Sequence, residues 1–366
     1  MFALLLTTQD IVSIIGALSD AIASGLIALY YGFLAFPTGI AFALAALLAI
    51  VWGMVTPISF QAETIVLAGS MGKNLRERIS IVLLCGIVMT VLGTFGLLGT
   101  VVDYIGEIIL AGMLAGVGVI LVKTSIDIAR DSLKAGIGSF LSALPVWFLT
   151  ENLAYTVVAS LIFGTIVHHL IKKDFNPPAE GDEETVGDDS GTFMENMKKQ
   201  LVLQKPILNS WRIWKAVFAL IALQIGTFIS YGSITASIAN TGFSVDKLTI
   251  TSGLAQVVSS IFGGAPLSPI VSITADANHP LDAAVIFMAI MAFILLLFLL
   301  PKIGKLIPVG ATAGYLFIIG AIIVIPDNLV AAVQGGNMVG IITFVITAIS
   351  DPFIGMLAGI LAQFVM

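Results

Sequence analysis

The chain is short of charge, cysteine and histidine, and each shortage removes a class of protein. Asp, Glu, Lys and Arg make up 10% of the 366 residues, where a soluble domain of this size carries about 25%. With 58% of its residues hydrophobic, the chain has too little polar surface to face water all round, so its second solvent is lipid. The one cysteine, Cys85, lies in an apolar run, which excludes an internal disulfide and a cysteine metal cluster. Of the three histidines, His168 and His169 close an apolar stretch beside Lys172 and Lys173 and read as interfacial residues. No metal site and no cofactor is expected. The net charge of −6 comes mostly from one hydrophilic stretch, which leaves no basic surface for nucleic acid. Met1–Leu6 is too short, and lacks the basic start, for a signal peptide. No span carries a metal-ligand set, a nucleophile with a base or a phosphate loop, so an enzyme is not expected either.

What is present is a series of apolar stretches of spanning or near-spanning length. The first set covers 11–33, 38–53, 55–71, 76–100, 106–123, 134–150 and 153–171. The second covers 214–237, 247–263, 265–278, 281–301, 308–325, 337–350 and 352–366. Between them, 172–213 begins with an acidic, Pro- and Gly-containing run that cannot form a core and reads as a mobile linker. Its basic second part suits an anionic membrane surface. The expected units are therefore residues 1–171, a linker 172–213, and residues 214–366.

Three short matches recur at nearly one offset. Ser19–Gly25 lines up with Gly226–Gly232, Pro57-Ile58-Ser59 with Pro266-Leu267-Ser268, and Ala111-Gly112 with Gly118 onto Ala313-Gly314 with Gly320. Three matches in order indicate a duplication. With seven spans per half, an odd number, the second copy enters the membrane upside down, as in many secondary transporters. The expected fold is all-α and integral to the membrane, with fourteen transmembrane segments in two inverted seven-span repeats.

Spans 3 and 10 read as broken helices. Pro57 interrupts the run from Gly53 to Glu63, and Pro266 and Pro269 interrupt the run from Gly263 to Asp276. Proline removes a backbone donor and kinks a helix, and unpaired backbone is tolerated in a membrane only inside protein or along a cavity. An extended stretch leading into a half-helix offers free N–H groups and a positive dipole end. Broken segments at matching places in two repeats point to a substrate site. Two carboxylates lie within spans: Asp20 in the first and Glu63 in the third. A charge there costs at least ~2.5–3.5 kcal/mol, so such an acid is normally paired, protonated or facing water. Both are candidate ion-coupling residues, Glu63 first because it sits in the broken segment. Ser59, Phe60, Gln61, Gln224, Thr227, Ser268 and Ser272 are the candidate solute contacts around it. Asp276 reads instead as a water-exposed residue at the end of its segment. Gly112 and Gly116 form a GxxxG spacing that close helix packing explains.

The run Gly264-Ala-Pro-Leu-Ser-Pro, followed by Leu281–Val324 with its Leu300-Pro-Lys-Ile-Gly-Lys-Leu-Ile-Pro turn, resembles the nucleobase:cation symporter-2 permeases, which include xanthine, uracil and guanine/hypoxanthine permeases. That resemblance implies seven plus seven spans, short strands leading into half-helices at spans 3 and 10, a core domain that moves against a gate domain, and proton- or sodium-coupled uptake of a nucleobase. It also implies acids in spans 8 and 10. Here span 8 offers Gln224 and Thr227, span 10 offers Ser272, and the acids occur at the repeat-related places, Asp20 and Glu63. Fifteen of the 16 Lys and Arg fall on loops after odd-numbered spans, Lys247 being the exception. By the positive-inside rule these loops and the linker are cytoplasmic and both termini lie outside, opposite to what the resemblance implies. An exchange of roles between the two halves reconciles these departures.

The expected function is alternating-access symport of a small planar solute, a purine or pyrimidine base, with a proton or sodium ion, across the cell membrane. A homodimer is compatible with this plan. The second candidate is an anion carrier (sulfate, bicarbonate or a carboxylate) on the same seven-plus-seven plan. Half-helix N-termini suit anions, whereas Glu63 beside them repels them.

Overall fold

The computed structural model describes residues 6–171, 193–242 and 244–365. The acidic part of the expected linker, 172–192, lies outside the described residues. In the first half the helices are α1 (Thr8–Tyr30), α2 (Ala35–Trp52), α3 (Ala62–Met71), α4 (Leu75–Thr94), α5 (Leu98–Ile105), α6 (Glu107–Asp131), α7 (Leu133–Thr150) and α8 (Leu153–Leu170). A short helix α9 (Phe193–Gln200) precedes the second half. That half holds α10 (Trp211–Ile238), α11 (Val245–Ile261), α12 (Pro280–Leu296), α13 (Leu299–Leu306), α14 (Ala313–Ile318), α15 (Ile325–Ala332), α16 (Met338–Ile349) and α17 (Pro352–Val365). Among the described residues, six helical stretches are long and apolar enough to cross a bilayer singly, and two bent pairs raise the number to eight. Large apolar side chains such as Val51, Leu149 and Leu361 stay exposed, as lipid contact requires. The protein is a multi-pass membrane protein, and each of the fourteen expected segments has its counterpart.

Spans 3 and 10 are broken as their prolines require. Strand β1 (Ile58–Ser59) precedes α3, and strand β2 (Ser268–Pro269) precedes a single 3₁₀ turn, Ile273–Asp276, where a longer half-helix was expected. The two strands pair antiparallel, Ile58 opposite Pro269 and Ser59 opposite Ser268. Prolines leave gaps in such a ladder, and side chains fill them. Ser252 Oγ donates to the Leu267 carbonyl at 2.8 Å, Ser259 Oγ to Ala265 O at 2.7 Å and Thr235 Oγ1 to Ile270 O at 3.3 Å. The Ala265 N–H donates to Thr38 Oγ1 at 2.9 Å.

The inverted duplication is visible in the packing. Ser59 and Ser268, aligned by the repeat, are direct partners in the ladder. The aligned glycines Gly118 and Gly320 also meet. A Cβ on Gly118 would lie 3.0 Å from the Gly320 carbonyl oxygen, and one on Gly320 would lie 2.7 Å from that of Gly118. Residues related by a two-fold operation touch each other only at its axis, so these two pairs mark it. Helix contacts repeat accordingly: α4 against α11 answers α2 against α12, and α6 against α16 answers α7 against α14. Both halves bend at the same place, by 101° between α4 and α5 and by 78° between α12 and α13. The first bend uses Gly96 at φ 64°, while the second holds Phe298 at φ 56°, stacked on Phe36 with ring centroids 5.6 Å apart. A π-helical stretch, Ile319–Val324, runs into Pro326; the wider turn relieves the clash of a proline ring with the carbonyl four residues back.

The helices form two groups. One comprises α1–α4 with α10–α13, and the other α6–α8 with α14–α17, the groups meeting along α1 and α8, α10 and α17, and α3 and α6. In the second group, Gly112 and Gly116 face Gly340, Thr343 and Thr347 of α16, as close helix packing demands. On the face carrying the basic loops, Lys215 Nζ pairs with the buried Asp351 Oδ2 at 2.9 Å and the Tyr30 hydroxyl donates to Asp131 Oδ2 at 2.5 Å. Both contacts join one group to the other. Residues 200–207 are strapped across the first group: Phe36 N–H donates to Gln200 Oε1, Gln204 N–H to Ile261 O, Arg76 Nε to Lys205 O and Ile207 N–H to Ser80 Oγ, each at 2.9 Å.

Gly118→Ala and Gly320→Ala are each expected to destabilise the protein by about 1–3 kcal/mol through overpacking. Gly99→Ala, which meets open space, is not; melting temperatures in detergent check the contrast.

Candidate functional site

The strand–helix junction before α3 is the chemically unusual place in the fold. Gln61 is the N-cap of α3 and makes no capping hydrogen bond with its side chain, so the first N–H groups of the helix, which have no intrahelical partner, point along the axis toward the strand pair. Its side chain instead folds over the first turn, where Thr64 Oγ1 donates to Gln61 Oε1. Gln61 Nε2 and Ser59 Oγ are buried and have no hydrogen-bond partner, with Ser59 fully buried and Gln61 3% exposed. The Tyr231 hydroxyl lies close to Gln61 without meeting hydrogen-bond geometry to Nε2. That hydroxyl donates to Glu63 Oε1 at 3.0 Å, and the Glu63 carboxylate lies against its own backbone N–H. Thus a helix N-terminus, two unused donors and one carboxylate share a single junction.

The opposite strand is saturated. Gln224 and Gln256 exchange amide hydrogen bonds, Nε2 to Oε1, at 3.0 and 3.2 Å. Gln224 Nε2 also donates to Ser268 Oγ at 3.2 Å, and Cys85 Sγ donates to Gln224 Oε1 at 3.2 Å. Ser268 Oγ donates onward to Thr64 Oγ1 at 3.3 Å, so a buried polar chain runs from α11 to the N-cap of α3. Counting 207 positions back from α10, Gln224 falls on Ala17, Thr227 on Asp20 and Tyr231 on Ser24. Alanine at position 17 offers nothing to Ser59, which accounts for the unpartnered hydroxyl on one strand and the occupied one on the other.

The expected residues divide. Hydrogen bonds through Thr64 join Gln61, Ser268 and Gln224, while Ser59 is paired with Ser268 through the backbone ladder and Glu63 is held by Tyr231. Asp20, half-buried on α1, makes no hydrogen bond among the described residues but is electrostatically coupled to Glu63. Thr227 bonds back to the Gln224 carbonyl at 3.4 Å, and Ser272 caps the 3₁₀ turn by accepting from Thr274 N at 3.2 Å. Phe60 turns away onto Phe42, ring centroids 5.2 Å apart, and lines a shallow apolar crevice with Gly25, Thr38 and Leu300. Thr64, Tyr231, Gln256 and Tyr315 were not foreseen. Tyr231 had a signal, since it lies in the aligned segment of α10. Tyr315, whose hydroxyl is 3.5 Å from Ser24 Oγ, had none.

Removing either Gln224 or Gln256 takes from the other buried amide both hydrogen bonds of the exchange, leaving it Ser268 and Cys85 or Ser252 alone, at a cost of about 1–3 kcal/mol. Gln224→Leu and Gln256→Leu are each expected to lower the melting temperature, and the double variant to cost less than the two singles added.

No protein-family model matches the chain, and no curated protein matches it at the sequence level. Solved structures do match its fold. The transmembrane domain of a cyanobacterium bicarbonate transporter, BicA, superposes with a TM-score of 0.64 at 16% identity, covering 96% of this chain and 97% of that one. The murine solute carrier 26 family member A9 anion transporter, in its inward-facing state, gives 0.64 at 14% identity, covering 98% of this chain and 68% of that one. These neighbours overturn the resemblance to nucleobase:cation symporter-2 permeases, and with it the expected nucleobase substrate. The seven-plus-seven plan is common to both groups, so a pattern of spans and breaks could not separate them. The acids that the resemblance implied in spans 8 and 10 are absent from this chain. What the chain shares with these proteins is their fold.

Proposed function

We propose that the protein is a secondary transporter of small anions working by alternating access. The observation that carries this is the pair of buried, unpartnered donors, Ser59 Oγ and Gln61 Nε2, at the uncapped N-terminus of α3. Buried polar groups are almost always bonded, and a cluster of donors facing a positive helix end lacks an acceptor with negative charge. The anion-transporting proteins of the same fold support the same assignment. In this proposal Ser59 and Gln61 hold the anion, while Ser268 and Gln224 hold the strand pair in place. Phe60 packs away from the site onto Phe42, and Thr227 and Ser272 serve their own segments.

Glu63 no longer argues against an anion once its charge is balanced. Two like charges about 4 Å apart repel by roughly 4 kcal/mol at an effective dielectric constant of 20. Loading therefore goes with a proton or sodium ion at Asp20, the carboxylate whose charge acts on Glu63, which couples the solute to an ion gradient. The units 1–171 and 214–366 act as the two repeats, and the helix group carrying the strands moves against the other. The basic face, where Lys215 meets Asp351 and Tyr30 meets Asp131, is the cytoplasmic one by its charge. Both termini then lie outside.

The test is uptake into proteoliposomes of chloride, nitrate, bicarbonate and sulfate. Saturable uptake of at least one is expected, with Ser59→Ala and Gln61→Ala each weakening half-saturation by roughly tenfold or more, the worth of a hydrogen bond to a charged group. Lack of uptake of all four by protein of native melting temperature overturns the proposal.

A further inference from the structure

The junction at α3 is not uniformly donating. Ser59 Oγ, Gln61 Nε2 and the first backbone N–H groups of the helix, apart from that of Glu63, offer hydrogens. A site built only of these takes any anion of fitting size. One acceptor shares the space: the Glu63 carboxylate, in the first turn, 6% exposed and drawn against its own backbone N–H. The Tyr231 hydroxyl holds it there through Oε1, and among the described residues no Lys or Arg forms an ion pair with it. A solute at this junction must therefore accept hydrogens on one side and present a hydrogen on the other.

Resting on the anion assignment above, we infer that Glu63 is a specificity-determining residue: it accepts the hydrogen that the transported anion itself carries. The site then selects small oxyanions bearing an O–H group, of the hydrogencarbonate type, over anions of like size and charge without one. For such a ligand the O–H···O bond to Glu63 offsets part of the repulsion between the two charges. For an anion lacking the hydrogen, two acceptors face each other with nothing between them. Sites built to bond a ligand hydroxyl reject analogues that lack it far more strongly than apolar pockets reject a missing methylene. Tyr231 is the positioning residue, since its hydroxyl fixes which way the carboxylate faces.

Bicarbonate and nitrate form the decisive pair, because both are planar and monovalent and only the first carries a hydrogen. The full chain in detergent is titrated with each at one mildly alkaline pH and constant ionic strength, binding being read from the rise in melting temperature. The wild type is expected to bind bicarbonate at least about tenfold more tightly than nitrate. Glu63→Gln, whose amide can donate, is expected to narrow that ratio by at least tenfold, chiefly by gaining nitrate. Equal binding of the two by the wild type, or tighter binding of nitrate, overturns the inference and leaves the anion assignment standing. Binding of neither, nor of chloride or sulfate, overturns both. Should Glu63→Gln not fold, the wild-type ratio decides alone, with Tyr231→Phe as the second variant. Its bicarbonate-to-nitrate ratio is expected to fall while nitrate binding holds, and an unchanged ratio removes the positioning role.

Discussion

Peptide groups in lipid must find their hydrogen-bond partners inside the protein, and this molecule meets that demand where it is hardest, at two places where its own helices stop. Pro57, Pro266 and Pro269 forbid continuous helix in spans 3 and 10. Each half therefore presents a short extended stretch at membrane depth, and each completes the other through the ladder from Ile58–Ser59 to Ser268–Pro269. Hydroxyls from Ser252, Ser259 and Thr235 take up the carbonyls that the prolines leave over. The arrangement of α2, α10 and α11 around the pair follows from that accounting, since they are the helices that carry Thr38, Thr235, Ser252 and Ser259.

Two halves built on one plan have been filled differently. The β2 side carries Gln224, Gln256, Cys85 and Ser252, and its polar atoms are bonded among themselves. The β1 side carries Ala17 where its counterpart has Gln224, and its hydroxyl and amide stay unbonded. Acids also sit on one side only, Asp20 and Glu63 standing where the other half has Thr227 and Ser272. A two-fold scaffold thus supports a one-sided site. The saturated strand supplies rigidity, and in the proposed transport cycle the unsaturated one keeps its hydrogen-bonding capacity for the anion.

Much of this architecture was legible in the residues. Apolar stretches marked the segments, prolines and glycines marked the two breaks, and three short matches near one offset marked the duplication that Ser59–Ser268 and Gly118–Gly320 express as contacts. Glu63, Gln61 and Ser59 stood out because they flank a break. Partners brought from distant spans did not stand out. Nothing in α10 announces that Tyr231 reaches Glu63, 168 positions earlier, and Gln256 reads as one polar residue in an apolar helix until Gln224 is placed opposite it. The substrate class was missed for a different reason. Spans and breaks record a scaffold shared by carriers of unlike solutes, whereas the solute is read by a few atoms whose directions are set only in three dimensions.

The pairing of β1 with β2 also imposes a schedule on biosynthesis. Their residues lie about 200 positions apart in the chain, and ribosomes add roughly 5–20 residues per second. For some 10–40 seconds the first strand is in place while its partner has not been made. During that interval its peptide groups have no ladder, and burial in lipid would leave them unbonded. The newly inserted first half must therefore be sheltered, by the insertion machinery or by water in its unfinished core, until residue 268 emerges and the ladder closes.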